Sequence, residues 1–198
     1  MRCAPKRIPY DPHASLADRI AQSIAKSLEN LQTDHLDCLI LHSPLPTVRE
    51  TLAAWQEFEA FVDAGTVRQL GISNIDEAGL EQLHRLARIK PAVVQNRFHA
   101  ETGYDRELRS FCRHHEVIYQ SFWTLTANPQ ALVQPAIVEA AASHRRTAAQ
   151  ILFRYLTGIG VVPLSGTKSD THMREDLAIF DFELDAGQRR GIGTLFGE

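Results

Sequence analysis

The sequence predicts an α/β fold in which parallel strands alternate with helices, and three observations carry that prediction. Short, continuous apolar runs recur along the chain, each followed by a longer stretch with apolar residues at helical spacing. Ser, Thr or Asp residues with Asp, Glu or Gln three places later mark several of the helix starts. Apolar runs that are continuous rather than alternating belong to strands covered on both faces, as in parallel sheets whose strands are joined by crossover helices.

Ser15 with Asp18 opens the first helix, along which Leu16, Ile20, Ile24, Leu28 and Leu31 form one apolar stripe. Cys38-Leu39-Ile40-Leu41 follows as a strand buried on both faces, closed by His42-Ser43-Pro44. Thr47 and Glu50 cap a second helix with Leu52, Trp55, Phe58 and Val62 on one side, and Gly65 stops it. Residues 67–72 make the second strand, ending at Ser73-Asn74, and Asp76 caps a third helix carrying Leu80, Leu83 and Leu86. Pro91 precedes the third strand, Ala92-Val93-Val94, which ends at Gln95. Asp105 opens a helix with Leu108, Phe111 and Cys112, and Val117-Ile118-Tyr119 is the fourth strand. Residues 124–129 read as loop and 135–142 as helix, and Thr147 with Gln150 caps a further helix that turns Ile151, Leu152 and Tyr155 inward. Gly160-Val161-Val162-Pro163 is the last strand. Residues 174–179 lie on a closing helix, and 186–196 on a terminal helix weakened by its glycines.

Five strands, each followed by helix, suit either a small doubly wound sheet or part of a (β/α)8 barrel. In both, chemistry gathers at the strand C-termini, where His42, Ser73, Asn74, Gln95, Tyr119 and Ser165 stand. A histidine in that place serves as a hydrogen-bond donor to a carbonyl or as an acid or base; alternatively it is a satisfied core residue. Ser73, Asn74 and Gln95 have the donors and acceptors to clamp a carboxamide such as nicotinamide's, or are turn residues. Tyr119 suits stacking on a flat ring or packing in a core, and Phe122 with Trp123 offers an apolar wall. Ser165, Gly166, Thr167 and Lys168 suit a phosphate, with Glu175 and Asp176 facing an adenine; the alternative is a solvated loop.

Composition narrows the function. A length of 198 residues corresponds by default to one domain, 1–198, with an irregular segment at 1–14. Twenty-one basic against 24 acidic residues, a net charge of −3, gives no footprint for nucleic acid or an anionic membrane. Cys3, Cys38 and Cys112 include no CxxC pair, which argues against a zinc site or disulfide framework and for reduced thiols in a cytoplasmic protein. No apolar run reaches the ~18 residues of a membrane span, and the basic residues 1–7 lack the apolar stretch of a secretory signal. The run from Gly191 to Gly197 misses GxGxxG by one place and follows a helix rather than a strand, so it is no dinucleotide fingerprint.

Taken together, the motifs resemble those of the aldo-keto reductases. Leu36-Asp37-Cys38-Leu39-Ile40-Leu41-His42-Ser43-Pro44 is similar to that family's strand-4 signature with its catalytic histidine. Residues 55–74, with Leu70-Gly71-Ile72-Ser73-Asn74, resemble its G-x-x-R-x-x-G-V-S-N segment, and Val94-Gln95-Asn96-Arg97-Phe98-His99 its strand-6 motif. Ile118-Tyr119-Gln120-Ser121-Phe122 is similar to the strand-7 tyrosine segment, Val161-Val162-Pro163-Leu164-Ser165 to the strand-8 phosphate segment, and Asp181-Phe182-Glu183-Leu184 to the closing signature. The likeness runs from about residue 15 to 196. It implies an incomplete (β/α)8 TIM-barrel type fold of about five βα units, the first three strands being absent. By the same likeness the protein is an oxidoreductase that reduces a small-molecule aldehyde or ketone with NADPH or NADH.

Residue by residue, the resemblance makes His42 the histidine that orients and polarises the carbonyl. Ser73, Asn74 and Gln95 would hold the nicotinamide carboxamide, with Tyr119 stacked on the ring. Gln120, Phe122 and Thr124 would line the pyrophosphate, Ser165 and Thr167 the adenosine phosphate, and Glu175 and Asp176 the adenine. Leu164 and His172 occupy the positions of the family's usual phosphate-site lysine and arginine, a departure that removes fixed charge from NADPH selection. The tetrad aspartate, tyrosine and lysine belong to the three absent strands, and open barrel edges imply self-association. Two other readings stand beside this one: a non-redox isomerase or cyclase using His42 as acid or base, and a catalytically inactive truncated product.

Overall fold

The structure, a computed structural model, describes residues 8–198, so Cys3, Lys6 and the rest of the basic segment 1–7 lie outside it. The chain divides into two compact units, and the division falls inside one strand, after Val93. The first unit holds α1 (Leu16–Leu31), β1 (Leu36–Leu41), α2 (Val48–Asp63), β2 (Val67–Ser73) and α3 (Glu77–Leu86). β3 (Val93–Arg97) leads into the second unit, which continues with α4 (Arg106–His114), β4 (Ile118–Phe122), α5 (Pro135–His144), α6 (Ala148–Gly158), β5 (Val161–Pro163), α7 (Asp170–Leu177) and α8 (Ala186–Gly193). No helix of the described residues is long and apolar enough to cross a membrane.

The helix starts follow the capping chemistry. Ser15 Oγ accepts from the Asp18 N–H (3.1 Å), and Asp76 Oδ1 from the Gly79 N–H (2.8 Å). Thr47 with Glu50 and Thr147 with Gln150 form reciprocal capping boxes. α2 gives way to β2 through Gly65, whose φ of +75° is one that L side chains rarely adopt. α7 starts at Asp170, four residues before the expected position, because Ser169 Oγ caps the His172 N–H (3.3 Å).

In the first unit β1 and β2 run parallel, with Ile40 opposite Gly71. A Cβ on Gly71 would come within 2.9 Å of the Val93 carbonyl and 3.1 Å of Ile40, so glycine is what lets the backbones close there. The Ala92 N–H donates to Leu70 O (2.8 Å) along the same strand. Trp55, Leu70, Ile72 and Leu80 are fully buried, and the Trp55 indole N–H is satisfied by Ile89 O (2.9 Å). The expected two-sided burial of β1 is not observed: Cys38, Leu39, Ile40 and Leu41 are only half-buried, because within its unit β1 pairs with β2 alone.

In the second unit β4 and β5 run parallel, with Gln120 opposite Val162. The Phe98 N–H donates to Phe122 O (3.3 Å), which fixes the end of β3 beside the end of β4. The core gathers Phe98, Phe196, Ile137, Ile151, Leu152 and Leu156. Phe98, Tyr104 and Phe196 pack as a ring cluster with centroids 5.0–5.4 Å apart.

Candidate functional site

In the first unit, the C-termini of β1 and β2 carry His42, Ser73 and Asn74. Asn74 takes a left-handed backbone (φ 55°), which asparagine tolerates better than most residues. Its Nδ2 donates to the His42 carbonyl (2.8 Å) and to Ser73 Oγ (3.1 Å). The amide thereby ties the end of β2 to the end of β1 and fixes the backbone from which the His42 imidazole projects. The His42 side chain is exposed, which removes the core-histidine alternative, whereas Ser73 is buried.

In the second unit, strand parity sorts the remaining residues. Gln95 and Arg97 share one face of β3, and Gln120 and Phe122 one face of β4. Gln95 Nε2 donates to Gln120 Oε1 (3.0 Å) across that face. On the opposite face, Asn96 and Tyr119 both donate to Asp105 Oδ2, at 2.8 and 2.9 Å. Tyr119 is 2% exposed, so its ring presents no face for stacking, contrary to the role the resemblance implied. The aromatic at the C-terminal end of the strand is Phe122 instead. Asp105 stands at the start of α4, as the sequence predicts, but without a side-chain cap. Its φ is 52°, and its carboxylate is taken up by the two buried donors.

Burial, followed by the Asp105 carboxylate, pushes the Cys112 thiol up from its ordinary 9.0 to about 12, and the same causes raise the Tyr119 phenol. The native state therefore holds both protons at pH values where the unfolded chain releases them. Their contribution to stability is complete below about pH 9 and is lost as pH rises above it. The urea midpoint is expected to fall between pH 8 and pH 10.5, and Cys112→Ala should flatten that fall; an equal slope in the variant would contradict the assignment.

Beside the C-termini of β4 and β5 lies a groove of about 580 Å³. Phe122, Thr124, Ser165, Thr167, His172, Glu175 and Asp176 all line it, so seven residues singled out in the sequence come together. Gln120 does not line it, being turned to Gln95. Thr124 is buried, and its hydroxyl is bonded to that of Ser121 (2.9 Å), so it shapes the wall and holds the loop. Thr167 Oγ1 accepts from the Ser169 N–H (3.1 Å) and meets His172 Nδ1 at 3.4 Å. Gln150 Nε2 donates to the Glu175 carbonyl (2.8 Å), tying α7 to the start of α6. Leu125 and Phe153 belong to the apolar lining as well, and nothing in an apolar residue's local sequence separates such a groove wall from a core. Leu164 lines the groove too, and among the described residues no Lys or Arg does.

The residue types fit a dinucleotide: an aromatic and apolar wall at the end of β4, hydroxyl donors after β5, and two carboxylates placed to accept from an amino group. Among curated proteins the chain is 32% identical to the glyoxal reductase of Bacillus subtilis (strain 168) over 171 residues, covering 86% of this chain and 60% of that protein. It is 29% identical to the NAD/NADP-dependent indole-3-acetaldehyde reductase of Schizosaccharomyces pombe, covering 90% and 65%. The crystal structure of an aldo/keto reductase from Brucella melitensis superposes with a TM-score of 0.81 at 26% identity, over 90% of this chain and 68% of that one. The chain thus spans less than two thirds of the length of these curated relatives. The fold is α/β of the (β/α)8 type, of which the chain supplies five βα units. The family model described as Aldo/keto reductase family matches residues 7–192, and with the strand-end residues and groove in place the chain belongs to the aldo/keto reductase family.

Proposed function

We propose that the chain binds NADPH or NADH and contributes to the reduction of a small aldehyde or ketone. The observation that carries this reading is the groove, which gathers the hydroxyls, the two carboxylates and the aromatic that a dinucleotide requires. Ser165 and Thr167 donate to phosphate oxygens, Glu175 and Asp176 accept from the adenine amino group, and Phe122, in place of Tyr119, offers its ring to the nicotinamide. The bound cofactor supplies the hydride, and the protein positions and polarises. His42 donates from its imidazole N–H to the carbonyl oxygen, where negative charge develops. Asn74 is a positioning residue for His42 through its 2.8 Å bond to the His42 carbonyl.

Titrating NADPH and NADH while following nucleotide fluorescence tests the proposal. Saturable binding of both is expected, with dissociation constants within ~10-fold of each other. The groove lining has no Lys or Arg to single out a 2′-phosphate, and a charge-assisted pair is the interaction that makes larger differences. Binding of neither nucleotide overturns the reading, and a preference beyond 100-fold overturns the account of the phosphate end.

A further inference from the structure

The groove that is proposed to hold a dinucleotide carries two carboxylates, Glu175 and Asp176, and no Lys or Arg among the described residues. A diphosphate placed there would find hydroxyls but no fixed positive charge. A guanidinium meets the groove wall at Trp123. Arg97 ends β3, and its Cζ lies 4.2 Å from the centroid of the Trp123 ring, which lines the groove. Arg97 is half-buried, and among the described residues it has no carboxylate partner. Among the described residues the buried Arg109 is paired with Glu198, and the half-buried Arg146 and Arg154 with Asp181 and Glu183.

Trp123 is itself unusual. It is 58% exposed, it takes a left-handed backbone (φ 58°) that costs a non-glycine residue of order 1 kcal/mol or more, and it meets Phe122 edge-on with centroids 6.3 Å apart. The register explains the placement. The Phe98 N–H to Phe122 O bond aligns the ends of β3 and β4, so Arg97 comes level with Phe122 and Trp123, one step beyond the Gln95–Gln120 pair on the same face. A large aromatic kept exposed in a strained conformation, with an otherwise unpaired guanidinium stacked on it, holds a planar cation beside the β4 end of the groove.

From this we infer that Arg97, oriented by Trp123, is the cation that takes the diphosphate of the dinucleotide. The inference rests on the proposed cofactor reading and adds a residue to it. Guanidinium binds phosphate oxygens through paired N–H donors, and stacking on indole leaves those in-plane donors free. The contact lies on the part common to NADH and NADPH, so it sets affinity for both and discriminates neither.

The test uses the full chain, its Arg97→Gln and Arg97→Lys variants, and three probes: NADH, NADPH and inorganic pyrophosphate. The chain has two tryptophans, of which Trp55 is buried and Trp123 exposed, so a ligand-induced emission change that disappears in Trp123→Phe reports on this place. R97Q is expected to weaken NADH and NADPH by the same factor, ~10- to 100-fold, and to abolish the pyrophosphate response, with R97K in between. Unaltered dinucleotide affinity in R97Q overturns the inference while the cofactor reading stands, as does a variant that only raises KM for carboxylate-bearing aldehydes. A wild-type chain that binds neither dinucleotide but shows Arg97-dependent pyrophosphate binding overturns the cofactor reading and keeps the diphosphate site. A wild-type chain that binds none of the three probes overturns both.

Discussion

Replacing His42 with alanine is expected to lower kcat for carbonyl reduction by at least ~10²-fold, the lower end of what a positioned donor or acid contributes. NADPH affinity should stay within about twofold and the urea midpoint should hardly move. Both halves of the expectation come from where the residue sits. The imidazole is exposed, so its loss opens no cavity and leaves no buried polar group without a partner. What is built at this position is the backbone: Asn74 donates to the His42 carbonyl, and that bond survives the substitution. Asn74→Ala is the complementary variant. It removes the tie and puts alanine at φ 55°, so it should cost roughly 1–2 kcal/mol of stability and lower kcat less than H42A does. A His42→Ala enzyme that turns over carbonyls at the wild-type rate would sink the assignment, whatever its stability.

What could be read in the chain divides along physical lines. Elements announced by local chemistry were legible: caps at Ser15, Thr47, Asp76 and Thr147 bond within three residues, so sequence spacing contains the whole interaction. Ser165 and Thr167 were legible because they directly follow β5, at the strand end where ligands gather, whereas Glu175 and Asp176 reach the groove from α7. Tyr119 looked like a strand-end ring, and Asp105 opens α4 as expected, but their mutual bond spans 14 residues and no local pattern contains it. Period-two alternation along β4 already separated Tyr119 from Gln120 and Phe122, and applying it would have moved the aromatic role to Phe122. The half-burial of β1 was beyond reach, because an apolar run reports the tendency to be covered, not whether a neighbour covers it.

Asp105 is the site of the largest expected stability effect. Its carboxylate sits among buried groups and accepts from both Asn96 Nδ2 and Tyr119 Oη. Two opposed terms decide what removing it does. Deleting a buried carboxylate relieves its desolvation cost, which in other proteins makes such deletions neutral when the whole constellation is replaced. Asp105→Ala, however, leaves both donors in place and unpaired, at ~1–3 kcal/mol each, and puts alanine at a left-handed position, at a further ~1 kcal/mol. The second set is larger, so D105A is expected to destabilise by about 3–5 kcal/mol, with Tyr119→Phe at about 1–2 kcal/mol and Asp105→Asn, which keeps an acceptor and the backbone preference, closer to Y119F than to D105A. In the D105A/Y119F double variant the losses should fall short of the sum, because Tyr119 no longer has a hydroxyl to strand. Urea denaturation of the four chains reads this directly; a neutral or stabilising D105A would mean that desolvation dominates. The same carboxylate spans β3 and β4 one residue from Gln95 on one strand and from Gln120 on the other.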